Sequence, residues 1–370
     1  MPNILDYLKW RGDLTFDERP PCDVDHLVFA YIAYVNIERV FKENMTISEA
    51  AKAYFAKHTD AEINGDRSLI GRAPFVLKYA GESARFGALR LRHVISVVCE
   101  ESEEQFAAST FVFPDGSVEI AYRGTDDSLT GWKEDLNMCF LMPVPAQLSA
   151  LEYLDVIAER TTGSIHLTGH SKGGNLALYA AAKASPEIQK RIKAIYDLDG
   201  PGFPRPMLSS PGYLAVRDRV KAIVPKSSII GLLMEHEQRL TIVSSSQTGV
   251  MQHDGLSWQV MGSSFVTEEK LDSSAENFSI FIQNWLSTMD TIERSALVDA
   301  VIYLMNATNS KTVSELTEKK ISSMVAVSHA YLRMSPEDKK QLRTCMKVMF
   351  AATNDKRGQM LKDEGITSVE

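Results

Sequence analysis

The sequence predicts an α/β protein with a mostly parallel sheet and helices on both faces. Three observations predict it. Strand and helix patterns alternate from His93 to about Trp258, and purely helical spacing occupies both ends of the chain. Between a short alternating strand and an alanine-rich helix sits Gly169-His170-Ser171-Lys172-Gly173, a G-x-S-x-G pentapeptide.

Residues 1–65 read as a helical extension. Val24, Leu27, Val28, Tyr31, Ile32 and Val35 recur at helical spacing over 23–41, and Thr46-Ile47-Ser48-Glu49 has the form of a capping box before a helix at 50–57. From His93 the period changes to two. Strands are predicted at 94–99, 106–113 and 118–122, with Pro114-Asp115-Gly116-Ser117 as the turn between the last two, which makes an antiparallel edge. A helix at 145–160, the strand 164–168, the helix 175–182 and strands at 193–198, 219–224 and 241–244 follow. This alternation implies right-handed crossovers and a parallel sheet. Together with the pentapeptide it is the plan of an α/β-hydrolase core over 66–268. Helical patterns return at 277–289, 295–306, 313–332 and after Ser335-Pro336-Glu337, giving a helical region at 269–352 before a polar tail at 353–370.

The composition excludes several classes. Among 370 residues, 44% are hydrophobic and 24% charged, and no run approaches the roughly 18 apolar residues of a membrane span. The start, Met1-Pro2-Asn3-Ile4-Leu5-Asp6, lacks the basic-then-apolar layout of a secretory signal, so a cytoplasmic protein is expected and Arg11-Gly12-Asp13 reads as a local turn. Cys22, Cys99, Cys139 and Cys345 are scattered, which predicts four reduced thiols, no zinc site and no disulfide framework. No cofactor is indicated. A net charge of −8 argues against a general nucleic-acid surface, and nothing in the pattern sets an oligomeric state.

The pentapeptide carries the chemistry. In a nucleophile elbow the serine occupies a strained turn between strand and helix, and flanking glycines avoid a Cβ collision with the neighbouring elements. Ser171 is then the nucleophile, and the helix N-terminus beneath it supplies unpaired N–H groups for an oxyanion. Tyr122-Arg123-Gly124-Thr125-Asp126 ends a strand and opens a loop where such hydrolases place a second oxyanion donor. The expected hole is the N–H of Thr125 and of Lys172, with the Thr125 hydroxyl as a further candidate.

A serine needs a base, and the chain order in this fold is nucleophile, acid, histidine. His236, His253 and His329 follow the elbow. His253 lies in a loop after a strand and is the expected base; His236, between two glutamates, fits a solvated face, and His329 sits in a helical pattern. Asp199, where the strand 193–198 turns, is the expected acid, although alternation puts Asp197 on the same face and does not separate the two. Lys172 is a cation at a helix N-terminus, which opposes the dipole by a few tenths of a kcal/mol, roughly. It predicts either an ion pair with Asp126, Asp127 or Asp199, or a stem that carries the charge to solvent.

Arg123-Gly124-Thr125, Trp132, Asp135 and Gly169 to Gly174 resemble the class 3 lipases. Trp10 to Leu14, Gln105 to Ala108, Gly131 to Asp135, Gly169 to Asn175, Asp199 to Phe203 and Gln252-His253-Asp254 are closer still to a bacterial family of lipase-like hydrolases once described only as a domain of unknown function. The resemblance spans about residues 1–265 and implies a small acyl substrate, an ester or lipid-like molecule, and His253 in the family's histidine loop. The chain departs from the lipases after the strand 219–224, where Pro225 to Gly231 carries no carboxylate. That departure leaves a second expectation from another class: a catalytically silent hydrolase scaffold that binds a ligand or a protein partner.

Overall fold

Seven strands form one sheet in chain order: β1 (Arg90–Cys99), β2 (Glu104–Val112), β3 (Val118–Tyr122), β4 (Ile165–His170), β5 (Ile192–Leu198), β6 (Val220–Pro225) and β7 (Leu240–Val243). The computed structural model describes residues 1–66, 68–138, 140–287, 289–312, 314–315 and 320–352. β1, β2 and β3 pair antiparallel, and β3 through β7 pair parallel. The hairpin between β2 and β3 turns where expected, with Gly116 at φ +81° and Asp115 Oδ1 accepting the Ser117 N–H at 2.9 Å. A two-stranded ribbon, β8 (Val260–Met261) and β9 (Ser264–Phe265), follows β7.

Helices cover both faces, as the alternation predicts. On one face Phe106, Ile120, Leu167 and Ile195 pack against α7 (Pro145–Arg160) and α8 (Lys172–Lys183). The alanines of α8 let it lie close to the sheet, and every residue from Lys172 to Ala182 is buried. On the other face Phe111, Ala121, Leu198 and Ile223 share a core with α1 (Ile4–Arg11), α2 (Asp23–Ile32), α3 (Ile47–Phe55) and α5 (Ala73–Glu82). α1, α2 and α3, from the first 65 residues, thus supply with α5 the second layer over the sheet, and α4 (Asp60–Gly65) follows α3 in the chain. Thr46 and Glu49 form the expected capping box at the start of α3. The helix predicted over 23–41 stops at Ile32, where the chain passes into a 3-10 turn at Ile37–Arg39.

Short helices α6 (Leu129–Met138), α9 (Pro186–Arg191), α10 (Arg205–Leu208) and α11 (Pro211–Val216) fill the crossovers. α6 and α5 were not apparent as helices in the sequence, being short segments with glycine inside them. Beyond the ribbon come α12 (Ser273–Ser287), α13 (Thr291–Asn306), α14 (Lys320–Arg333) and α15 (Pro336–Ala352). They have a small core of their own around Leu297, Ala300, Met334 and Leu342. Several bonds join them to the sheet domain, among them an ion pair of Asp299 with Lys133 at 3.6 Å. Ser314 N and Lys311 O bond Asp127 and Leu129 N, while Ser279 Oγ and Gln283 Nε2 donate to Leu232 O and Met234 O. The predicted tail at 353–370 lies outside the described residues, as do Cys139 and the side chain of Cys345; Cys22 and Cys99 are free thiols. Among the described residues no helix is long and apolar enough to cross a membrane, and no cluster of three or more ligating side chains could hold a metal ion.

Candidate active site

β4 ends at His170 and α8 begins at Lys172, so a single residue, Ser171, makes the turn. Its backbone takes φ +60° and ψ −134°, a conformation that costs a non-glycine residue about 1–3 kcal/mol. The surroundings enforce it. Ser171 N donates to Leu198 O at 2.9 Å, and a Cβ on Gly169 would lie 2.1 Å from the Gly173 carbonyl carbon, one on Gly173 2.2 Å from Tyr122 O. Glycine is required at both flanks for the close approach of strand and helix.

Asp199 stands one step beyond β5, fully buried, with φ +56° and its N–H bonded to Ile223 O at 2.8 Å. Its Oδ2 accepts from His253 Nδ1 at 2.6 Å, and its Oδ1 accepts from Ser228 Oγ at 2.5 Å. A carboxylate only accepts, so His253 Nδ1 carries a proton, and in the neutral ring the lone pair is on Nε2. Asp197 does something else: its Oδ1 accepts the Gly200 N–H at 3.0 Å, and burial, with the charge of Asp199 adding, pushes its pKa up to about 8. Among the described residues no hydrogen bond joins Ser171 to His253 in this structure. His329 lies on an exposed helical face. His236 does not lie on a solvated face as expected: its Nε2 is buried without a partner among the described residues, and burial lowers its pKa.

Across the turn, neither the Thr125 nor the Lys172 backbone N–H meets a protein acceptor among the described residues. Lys172 opens α8, where the first N–H groups have no intrahelical partner. Gly124 brings the loop against the elbow, since a Cβ there would lie 2.1 Å from Tyr34 Oη and 2.4 Å from His170 O. The Thr125 hydroxyl is already committed, donating to Asp135 Oδ2. Desolvation pushes the Asp135 pKa up to about 6, against the opposing pull of Lys172 and of the Thr125 hydrogen bond.

The side chain of Lys172 corrects both expectations held for it. It neither reaches solvent nor pairs with Asp126, Asp127 or Asp199. Only 1% exposed, it donates to Gln105 O and Gln105 Oε1, both at 2.8 Å, and to Glu134 Oε2 at 2.9 Å, with Asp135 Oδ1 at 3.8 Å. The three expected partners are engaged elsewhere: Asp126 with Ser128, Asp127 with Ser314 N, Asp199 with His253. Glu134 is fully buried and also accepts the N–H groups of Gln105 and Ala146, at 3.0 and 2.8 Å. Gln105 in turn contacts Gly124 O and Asp126 N, each at 3.4 Å, and so links the lysine to the Thr125 loop. Sequence reasoning missed Glu134 as the counter-ion and Ser228 as a donor to Asp199; for Glu134 the signal was a buried-type lysine with no obvious partner.

A family model described as Mbeg1-like matches residues 80–303, a span that contains Thr125, Ser171, Asp199 and His253. The chain belongs to the Mbeg1-like family. The Mbeg1-like span starts after α1 to α4 and ends within α13. No curated protein matches. Among solved structures, the crystal structure of M37 lipase is similar at 16% identity over 57% of this chain and 69% of that one, with a TM-score of 0.37.

Proposed function

We propose that this Mbeg1-like protein is a serine hydrolase that cleaves acyl esters through Ser171, His253 and Asp199. The observation that carries the reading is the 2.6 Å bond from His253 Nδ1 to a fully buried Asp199, beside a serine held at φ +60°. In the proposed reaction His253 Nε2 takes the Ser171 proton as Oγ attacks the acyl carbonyl. Asp199 keeps the imidazole in the Nδ1–H tautomer and stabilises the imidazolium. The oxyanion is held by the backbone N–H groups of Thr125 and Lys172, both free of protein acceptors among the described residues. His253 then gives its proton to the leaving alkoxide, and water resolves the acyl-enzyme by the reverse proton path. Because the Thr125 hydroxyl donates to Asp135, it is not a third oxyanion donor while that carboxyl is ionised.

One observation favours the silent-scaffold reading: Ser171 and His253 are not hydrogen bonded here, among the described residues. Catalytic hydrogen bonds often tighten only when substrate binds, so the two readings separate by reactivity. Full-length protein is treated with a fluorophosphonate probe beside Ser171→Ala, His253→Ala and Asp199→Ala. The hydrolase reading expects labelling that is lost in the serine and histidine variants and slowed by roughly 10⁴-fold when the aspartate is removed. Folded native protein that takes no label would establish the scaffold instead.

A further inference from the structure

The bond to Asp199 fixes the direction of the His253 ring, but the reach of Nε2 toward Ser171 depends on the backbone that carries it. That backbone is a loop of two 3-10 turns, Gly249–His253 and Gly255–Ser257. Its His253 carbonyl is held by His170, the residue before the nucleophile: His170 Nε2 lies 2.7 Å from His253 O, and the two rings lie with centroids 4.6 Å apart, tilted by 34°. A carbonyl only accepts, so Nε2 of His170 carries the proton. Burial, with His253 adjacent, holds the His170 pKa well below the ordinary value, which leaves Nδ1 as an acceptor. The Tyr34 hydroxyl meets that nitrogen at 2.9 Å and therefore donates to it, and it also lies 3.2 Å from His170 O. The same hydroxyl sits against Gly124, where no Cβ fits. One turn of chain earlier, Tyr31 donates to Asp254 Oδ1 at 2.7 Å and accepts the Leu256 N–H at 3.3 Å.

We propose that Tyr34 and His170 are positioning residues of the hydrolytic site: His170 spaces the His253 loop from Ser171, and Tyr34 locks His170 in the donor tautomer while pressing on the Thr125 loop. The inference rests on the hydrolase reading above. Without the Tyr34 hydroxyl, the His170 proton is free to move to Nδ1, and a bare Nε2 then faces the His253 carbonyl and repels it. Tyr34 lies before the Mbeg1-like span, so this role belongs to the helical layer of the first 65 residues.

The test is the second-order rate of fluorophosphonate labelling of the full-length chain and of Tyr34→Phe, His170→Phe and His170→Gln. The first two keep a ring; Tyr34→Phe deletes the bond to His170 Nδ1, His170→Phe deletes that bond and the one to His253 O, and glutamine restores an N–H near the Nε2 position. Expected are losses of about tenfold to a hundredfold in Tyr34→Phe and His170→Phe, with His170→Gln within about threefold of native. With p-nitrophenyl acetate the loss falls on kcat and leaves KM unchanged, since the acyl group is not touched. Native rates in the first two variants, or a glutamine variant as slow as the phenylalanine one, overturn the proposal. A native chain that takes no label overturns the hydrolase reading instead. Hydrogen exchange of 249–257 then decides the brace: faster exchange confined to that loop in His170→Phe upholds it, and unchanged exchange overturns it.

Discussion

Replacing Lys172 with methionine keeps most of the stem and removes the charge from the most enclosed ion pair of the site. Three acceptors each lose one donor: Gln105 O, Gln105 Oε1 and Glu134 Oε2. Glu134 is left fully buried with only the N–H groups of Gln105 and Ala146 against it, while Asp135 loses the cation 3.8 Å away. Removing one partner of a buried pair costs about 3–5 kcal/mol, because the remaining charge is uncompensated. Urea unfolding followed by circular dichroism measures it, with Glu134→Gln and the double variant completing a cycle. Glu134→Gln strands the ammonium, so each single variant suffers the unpaired charge that the double variant lacks. The cycle is expected to show a coupling of about 0.5–3 kcal/mol. A Lys172→Met protein within about 1 kcal/mol of native, or strictly additive losses, would refute the claim that this pair holds the elbow helix to α6.

Asp197→Asn tests the neutral buried carboxyl. With the folded pKa pushed up to about 8, the folded chain holds a proton that the unfolded chain releases above about pH 4, so native stability falls by about 1.4 kcal/mol per pH unit across that window. Asparagine has no such proton; its stability relative to native should therefore rise from pH 5 to 8 and level off above, and a pH-independent gap in urea titrations would reject the assignment. Ser228→Ala removes the donor to Asp199 Oδ1, a bond to a charged group, and is expected to lower stability by about 1.5–3 kcal/mol and to slow fluorophosphonate labelling; an unchanged rate and midpoint would show that the bond does neither. For Asp135→Asn, native and variant labelling rates should coincide well below about pH 6, where the native carboxyl is neutral, and separate above it; a gap of the same size at every pH would contradict that titration.

Local pattern carried the sheet. β3 and α7 fall at the residues the period indicates, and the other main strands lie within a few residues, because one buried face per strand writes itself into the sequence. The partner of Lys172 was not legible for the opposite reason. Glu134 is 38 positions away in a helix whose placement depends on how α6 docks beside β2, and the carboxylates expected instead, at 126 and 127, are taken by a local turn and by the C-terminal region. Tyr34 was hidden by a wrong helix end. Extending the 23–41 pattern makes it one more helical position, whereas the chain leaves the helix at Ile32 and turns Tyr34 under the elbow.

Which of Asp197 and Asp199 meets His253 was ambiguous because alternation assumes that a strand continues. It does not continue past Leu198. β4 and β5 pair His170 with Leu198, so Ser171 and Asp199 are the next positions on neighbouring strands, and both leave the strand at φ near +60°. Each also keeps its N–H on the following strand, Ser171 on Leu198 O and Asp199 on Ile223 O. The same backbone device is therefore used twice, side by side, and each use costs about 1–3 kcal/mol that the packed sheet must hold in place. At Asp199 the reversal of φ takes the side chain out of register with Asp197, which stays with its own turn at Gly200 while Asp199 meets His253. Strain at the end of the strand, rather than its pleat, decides which carboxylate faces the histidine.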